Sequence, residues 1–576
     1  MFNCNEGTQR LAHEHRTKLT RMEHVFLTRN SWDRFGGVPG LCLTLQEIGV
    51  PQLTLHGPPG IDQIFEAARK FVVLRNMKAD MPECKEGEYF EDAVMRVNYV
   101  PLYKNNVKPE TETQKQANEQ NKKQDDPEKT FNDNTDYFEN EGKSSSNGSK
   151  KTTSKAESFE MEPMEETNVM AYVCKLQKRA GTLDFAMCVD KGVKPGPLLG
   201  KLKNGIDVTL QNGSVVKAED VRGPSSPGCV FVFIDIPDES YLSALVDSKA
   251  FKPHQKFAEK EEDAAVVVVH FTPEHMMDHP IYKEWIDDFS ASTQHWFINE
   301  RNEFSGYFSA HRIQKQLNEI DNNIFPMLQE PHPCLRLDTD NRLKTYAAGG
   351  HAAKKLKLDT EDNSALLKFE TYPELGILSM FHLRPQKGFD RSLEPYSDPD
   401  AVTEDIELTP EVFELIEKFK EDSKKLTVMR TKAEREKEFP RIITLGTGSC
   451  IPNKTRNVSA NLVHIAEDNC ALLDCGEGTL GQLIRFYGRP GADAVLKKLK
   501  MIYISHLHAD HHLGLIDVLN RRRALIDDRV LLLAPFPISK WLAFYNYRIN
   551  EIYNTYDLFS CDELVSCLRC TKNFAT

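Results

Sequence analysis

The chain has 576 residues, a net charge of −13 at neutral pH and 28% charged side chains. That is enough material for two or more domains with buried cores, and too acidic for nucleic-acid binding through overall charge, so any phosphate contact has to come from a local basic patch. Thirteen cysteines without regular spacing argue for a reducing compartment rather than a disulfide framework, no apolar run approaches the ~18 residues of a membrane span, and the opening residues do not read as a signal or transit peptide.

In chain order, Val25-Phe26-Leu27 reads as a short apolar strand ahead of Thr28-Arg29-Asn30-Ser31-Trp32-Asp33-Arg34-Phe35-Gly36-Gly37. Residues 108–158 contain no Val, Ile, Leu, Met or Cys; such a stretch cannot bury enough apolar surface to offset ordering, and disorder is expected. A strand is expected at Val169–Leu176. The Pro195-Gly196-Pro197 turn, with Lys201 and Lys203 behind it, leads to a hairpin whose Asn212-Gly213 predicts a two-residue turn. The unbroken run Ala264–Val269 predicts a strand covered on both faces, followed by a helix near Tyr282–Phe289 and a strand at Gln294–Asn299. His270, His275, His279 and His295 lack ligand spacing. Residues 404–437, rich in Glu and Lys, predict a solvated connecting helix. Cys567 and Cys570 form an isolated C-x-x-C with no second pair, and are expected to be plain thiols.

The richest chemistry follows the apolar run Met501-Ile502-Tyr503-Ile504: Ser505-His506-Leu507-His508-Ala509-Asp510-His511-His512. Alternate residues of an extended backbone share a face, so His506 and His508 are expected to close on one zinc at about 2.0–2.1 Å. Asp510 and His511, where the chain turns toward a helix over 513–525, are expected to supply a second ion. Two ions roughly 3.5–4 Å apart suit phosphodiester hydrolysis.

The motif resembles the signature of the metallo-β-lactamase superfamily. Upstream, Leu445-Gly446-Thr447-Gly448-Ser449, Pro452-Asn453-Lys454-Thr455-Arg456-Asn457 and Asp474-Cys475-Gly476-Glu477-Gly478-Thr479 narrow it; in this order the blocks resemble ribonuclease Z, the tRNA 3′-processing endonucleases. The resemblance implies an α/β fold, the αβ/βα sandwich, with two Zn2+ ions held by His506, His508, Asp510 and His511. It also implies precursor tRNA as partner, removal of a 3′ trailer, and a nuclear or mitochondrial location. Asp510 is the candidate to orient or deprotonate the attacking water. Lys454, Arg456 and Asn457 are candidates for substrate contact, and Pro195, Gly196, Pro197, Lys201 and Lys203 resemble the family's protruding tRNA-binding arm.

The opening residues repeat the catalytic blocks in degraded form. Phe2-Asn3-Cys4-Asn5-Glu6-Gly7-Thr8 parallels 473–479, and 25–37 parallels 502–514, so that Arg29, Ser31, Asp33 and Arg34 stand where His506, His508, Asp510 and His511 do. Arginine stays protonated and cannot ligate zinc, so the first half is expected to share the fold and bind no metal, as in long-form ribonuclease Z. The expected layout is a degenerate half begun by 1–107, a disordered segment 108–168, the rest of that half at 169–340 with the arm near 176–225, a linker 341–437, and a catalytic half from 438 to 576. After His512 there is no further histidine, while the family's site needs later ligands. The chain is therefore expected to be an interior piece of a longer protein and inactive alone. Two other readings stand beside this one, a different hydrolase of the superfamily and a non-catalytic tRNA-binding product. The sequence leaves a homodimer open.

Overall fold

The computed structural model of the chain describes residues 1–61, 63–107, 168–179, 181–223, 225–302, 306–329, 372–373, 375–394, 409–429 and 439–560. The stretch expected to be disordered falls, from 108 to 167, outside the described residues, as do much of the expected linker and Cys567 and Cys570.

Strands β1 (His24–Phe26), β2 (Gln52–His56) and β3 (Lys78–Asp80) form a parallel three-stranded sheet. Antiparallel β4 (Tyr89–Glu91), β5 (Met95–Tyr103) and β6 (Asn168–Leu176) begin a second sheet. The small hairpin of β7 (Val208–Thr209) and β8 (Val215–Val216) stands apart from it, and β9 (Val230–Ile234), antiparallel to β6, completes it with β10 (Ala265–His270) and β11 (Gln294–Phe297), these three mutually parallel, in the order β11-β10-β9-β6-β5-β4. The two sheets stack on Phe26, Tyr172, Phe231, Val267 and Val269, and the Tyr172 hydroxyl donates to the Leu27 carbonyl at 2.6 Å. On the outer face of the larger sheet, Val173, Val232 and Val268 pack with Tyr282, Trp285 and Ile286 of the helix Pro280–Asp287. Covered on both sides, β10 needs apolar residues at every position, which explains its unbroken valines. His270 is a core residue: its ring nitrogens meet the Tyr282 hydroxyl at 2.6 Å and His295 at 3.0 Å.

Part of the expected linker is instead structured. β12 (Met380–Leu383) and β13 (Gln386–Asp390) form a hairpin whose Phe381 and Phe389 pack edge-on against Trp296, with centroids at 5.7 and 5.2 Å. The helix Pro410–Met429 lies mostly exposed, with Ile416 buried.

The second half forms a six-stranded sheet in sequence order, β14 (Arg441–Gly446), β15 (Ala460–Ala466), β16 (Asn469–Leu473), β17 (Leu499–Tyr503), β18 (Val530–Ala534) and β19 (Tyr556–Ser560). Pairing is antiparallel up to β16 and parallel from β16 onward. No helix among the described residues is long and apolar enough to cross a membrane.

The duplication holds at the level of single hydrogen bonds. Asn3 N–H donates to the Phe26 carbonyl at 2.8 Å and Asp474 N–H to that of Tyr503 at 2.7 Å; Cys4 N–H donates to Arg34 and Cys475 N–H to His511, both at 2.7 Å. Gly37 and Gly514 donate to the Cys4 and Cys475 carbonyls at 2.9 and 3.0 Å. A β-carbon on Gly37 would meet the Asn5 carbonyl at 2.1 Å, and one on Gly514 the Gly476 carbonyl at 2.2 Å. Close backbone approach is what keeps both positions glycine.

The halves share one core. Val25, Leu27, Trp32, Phe35 and Leu41 belong to the same buried cluster as Leu462, Leu472, Ile502, Leu519 and Trp541, and Trp32 meets Trp541 edge-to-face with centroids at 5.7 Å. Two carboxylates cross at this joint. Glu477 accepts from Gly7 N–H at 2.9 Å and from the Gln9 amide, while Glu6, its counterpart in the repeat, accepts from Gly478 N–H at 3.0 Å and from the Trp32 indole at 2.6 Å. Each half thus feeds one acidic side chain to the start of the other's helix. Burial pushes the Glu477 carboxyl up to about 7, against the bonds from Gly7 and Gln9. Glu6 is raised well above the usual range by desolvation and the nearby Asp517.

A carboxyl raised in the folded state binds its proton more tightly there than in the unfolded chain. Its stabilising effect is full below pH about 4.5 and is lost as pH rises toward about 7. That loss is on the order of 3 kcal/mol for Glu477. Glu477→Gln is therefore expected to flatten the fall in melting temperature between pH 5 and 7 relative to the unmodified protein. Parallel profiles for the two proteins would show that Glu477 does not carry this slope.

Candidate metal centre

The histidine segment begins where β17 stops. The strand ends at Tyr503, so His506 and His508 sit on the following loop rather than on a continuing strand, and Asp510 and His511 sit in the short helix Ala509–His512. The four candidate ligands come together all the same. His506 Nε2 and His508 Nδ1 lie 3.0 Å apart, the His506 and His511 ring centroids are 4.0 Å apart, and His511 Nε2 is 3.6 Å from Asp510 Oδ2. His508 is exposed, His506 and His511 are half-buried and Asp510 is buried.

Their orientation depends on Asp474, which follows β16 with φ +58°. Its Oδ1 accepts from Ser505 N–H at 2.9 Å and the Ser505 hydroxyl at 2.8 Å. Its Oδ2 accepts from the Ser459 hydroxyl at 3.1 Å and lies 2.7 Å from His511 Nδ1. A carboxylate on Nδ1 fixes the tautomer that leaves Nε2 with its lone pair. His506 is fixed in the same sense through the serine: the hydroxyl that donates to Asp474 lies 3.0 Å from His506 Nδ1 and accepts its proton. Burial acts to raise the Asp474 carboxyl, but the bonds from Ser505 and His511 outweigh it and hold the carboxyl below its ordinary value. Burial, then neighbouring His511 and His508, hold His506 below the ordinary imidazole value, so it is neutral and ligand-competent at pH 7. Asp510 is held separately: its Oδ2 accepts from Cys450 N–H at 2.7 Å, at the end of the Leu445–Ser449 turn.

This donor set fits zinc. Imidazoles whose Nδ1 protons are engaged, which leaves the Nε2 lone pairs of His506 and His511 as acceptors, and a carboxylate beside them are the ligand chemistry the ion takes. The 3.0 Å between the His506 and His508 nitrogens is close to the about 3.3 Å spanned by two ligands of a tetrahedral zinc. Among the described residues no three such side chains already surround a common point; His506 and His508 instead hydrogen-bond each other.

The equivalent place in the first half is filled by charge pairs. Arg34, in the position of His511, donates from Nε to Asp235 at 2.7 Å and from Nη2 to the Phe271 carbonyl at 2.7 Å. Arg29, in the position of His506, meets Asp33 at 3.1 Å. Asn3 replaces Asp474 and accepts from Thr28 N–H and hydroxyl at 3.0 and 3.1 Å, as Asp474 does from Ser505. Guanidinium groups occupy the space that a cation would need.

The candidate substrate residues separate into two places and one exception. Lys454 and Arg456 lie on the turn 452–457, half-buried and exposed respectively. Asn457 corrects the expectation: it is buried, and its amide donates to the Glu477 carbonyl at 2.9 Å, so it holds the loop. Pro195, Gly196, Pro197, Lys201 and Lys203 are exposed on a separate lobe, where the helix Pro197–Lys203 starts at the second proline. That lobe has its own core of Cys188, Val193, Leu202, Val208, Val216 and Val221. Its hairpin turn is three residues, not two: Leu210 N–H donates to Ser214 at 2.8 Å, with Gly213 at φ +84°, a turn followed by a left-handed glycine. Asp474, Ser505 and Cys450 were not singled out as site residues by the sequence argument, although Asp474 opens the block 474–479 that carries the resemblance and directly follows the apolar Leu472-Leu473.

Replacing Asp474 by asparagine keeps its size but removes the charge that fixes His511. Zinc affinity is expected to fall about 10–100-fold, read by chelator competition. Unchanged affinity in a folded Asp474→Asn protein would remove Asp474 from the site.

Comparison with known proteins gives a consistent set. A family model described as tRNase Z endonuclease matches residues 1–37, and one described as anti-Pycsar protein Apyc1 matches residues 440–542. The protein named ribonuclease Z, mitochondrial, from Drosophila melanogaster is 40% identical over 98% of this chain and 65% of its own length. Zinc phosphodiesterase ELAC protein 2 from Rattus norvegicus is 32% identical over 96% of this chain and 63% of its own length. The chain thus spans slightly under two thirds of these relatives. The crystal structure of a long form RNase Z from yeast matches with a TM-score of 0.63 at 20% identity, covering 97% of this chain and 70% of that one; at that identity it bears on the fold, which is the duplicated metallo-β-lactamase sandwich.

Proposed function

The chain belongs to the ribonuclease Z family, and from that premise we propose that the protein it represents is a zinc-dependent endoribonuclease that removes the 3′ trailer of precursor tRNA. The observation that carries the reading is the convergence of His506, His508, Asp510 and His511 at the end of β17, with Asp474 setting the tautomers. His506 and His508 would hold one ion, and Asp510 and His511 a second. Bound zinc would polarise the attacking water and offset charge on the phosphate.

The chain's own groups do the rest. Ser505 and Asp474 keep the His506 and His511 Nδ1 protons engaged, so that neither ring turns its N–H toward the substrate. Asp510, steadied by Cys450 N–H, orients the attacking water and takes its proton. Lys454 and Arg456 contact phosphates near the scissile bond, and the lobe bearing Lys201 and Lys203 grips the tRNA at a distance, in keeping with the rule that phosphate contacts position a nucleic acid. The word mitochondrial in the Drosophila relative's name supports a mitochondrial location. A reading as a thiol-ester hydrolase leaves the lobe that exposes Lys201 and Lys203 without a role.

In the natural full-length protein, Asp510→Ala is expected to lower pre-tRNA cleavage about 10²–10⁴-fold, while tRNA binding by filter retention stays within about twofold because phosphate contacts lie elsewhere. Cleavage within tenfold of the unmodified protein would refute the assignment. Excising 183–222, whose ends meet at the Leu183–Arg222 bridge, is expected to weaken pre-tRNA binding at least tenfold yet spare hydrolysis of bis(p-nitrophenyl) phosphate. Equal loss on both substrates would make the lobe structural.

A further inference from the structure

Arg10 lies in the first half, on the helix Thr8–Glu14, and is 2% exposed. A buried guanidinium stays charged and has to be satisfied by acceptors, and Arg10 reaches across into the second half for them. Its Nε donates to the Asn453 carbonyl at 2.8 Å, Nη2 to the Lys454 carbonyl at 3.4 Å, and Nη1 to the Asn457 side chain at 3.4 Å and the Gln482 side chain at 2.9 Å. Three of these four acceptors belong to one turn, 452–457. That turn closes on itself through Asn453 and Arg456, whose N–H groups donate to each other's carbonyls at 2.8 and 3.2 Å.

The guanidinium is also held from behind. The Tyr307 ring, again from the first half, is met by both Arg10 and Arg485, whose guanidinium carbons lie 4.7 and 4.0 Å from its centroid. Gln482 accepts from both arginines, with Arg485 Nε at 2.9 Å, and its amide donates to the Leu445 carbonyl. The turn is therefore fastened from beneath by one side chain of the half that lacks metal ligands.

We propose that Arg10 is a positioning residue for substrate binding: it sets the height of the 452–457 turn and so places the Lys454 and Arg456 charges for phosphate contact beside the histidine cluster. This rests on the RNA-cleaving reading above. Lysine is a poor substitute, since one ammonium cannot fan out to several fixed acceptors as the planar fork does.

The test uses Arg10→Gln and Arg10→Lys in the natural full-length protein. Arg10→Gln is expected to raise KM for pre-tRNA at least tenfold with kcat within threefold, to lower the slope of log KM against log salt by about one, and to leave zinc content and bis(p-nitrophenyl) phosphate hydrolysis unchanged. Added to Lys454→Ala and Arg456→Ala together, it should cost less than a further twofold, because it acts through them. Additive effects, equal loss on both substrates or an unchanged KM each overturn the proposal; should Arg10→Gln fail to fold, Arg10→Lys carries the same measurements. If the unmodified protein does not cleave pre-tRNA, the functional reading falls instead. Hydrogen exchange over 451–458 then judges Arg10 by itself: faster exchange in the variants supports the fastening and unchanged exchange overturns it.

Discussion

The Asp474 carboxylate takes four hydrogen bonds from the segments around it: two from Ser505, one from Ser459 and one from His511. Its backbone is left-handed at φ +58°, a conformation that Asp tolerates better than most residues, and its N–H is tied to Tyr503 at the end of β17. Strand end, histidine loop and the short helix Ala509–His512 are thus referred to one side chain. Remove its charge and His511 loses its tautomer, the Ser505 relay loses its acceptor, and the loop after β17 loses its anchor.

The first half shows what persists when that chemistry is given up. The backbone bonds around Asn3, Cys4 and Gly37 repeat those around Asp474, Cys475 and Gly514, because peptide groups bond in the same way whatever side chains they carry. Only the side chains diverge. Asn3 keeps the two acceptor bonds from Thr28, and Arg34 with Asp235 forms an internal ion pair at the place of the candidate ligand His511. A buried charge requires a partner, and here the partner comes from the loop after β9 rather than from solvent.

The two halves are joined by more than apolar contact. Trp32 and Trp541 meet in the shared core, Glu6 and Glu477 cross to cap the opposite helix, and Arg10 passes beneath the 452–457 turn. All three links leave from segments that the duplication made equivalent or adjacent. The degenerate half therefore acts on the candidate site by geometry, through backbone it inherited and one arginine at a position where the second half has Gly481.

Local pattern determined much of this protein. The grouping of His506 to His511, the unbroken valines of β10, the paired blocks at 2–8 and 473–479, and the segment carrying Lys201 and Lys203 were all legible in residue type and spacing, because each shows in a short stretch of sequence. Tertiary structure decided the rest. Asp474 and His511 are 37 residues apart in sequence and Arg10 and Asn453 are 443 apart, and no periodicity announces a contact of that kind. Asn457 was a candidate for substrate contact because it closes the block Pro452–Asn457 that carries the family resemblance, but burial against Glu477 made it a strut. The hairpin at 380–390 lay in a stretch read as linker, since a short strand pair declares itself only through the Trp296 face that receives it. Sequence specifies which chemistry is present; which groups meet is set by the packing of one half against the other.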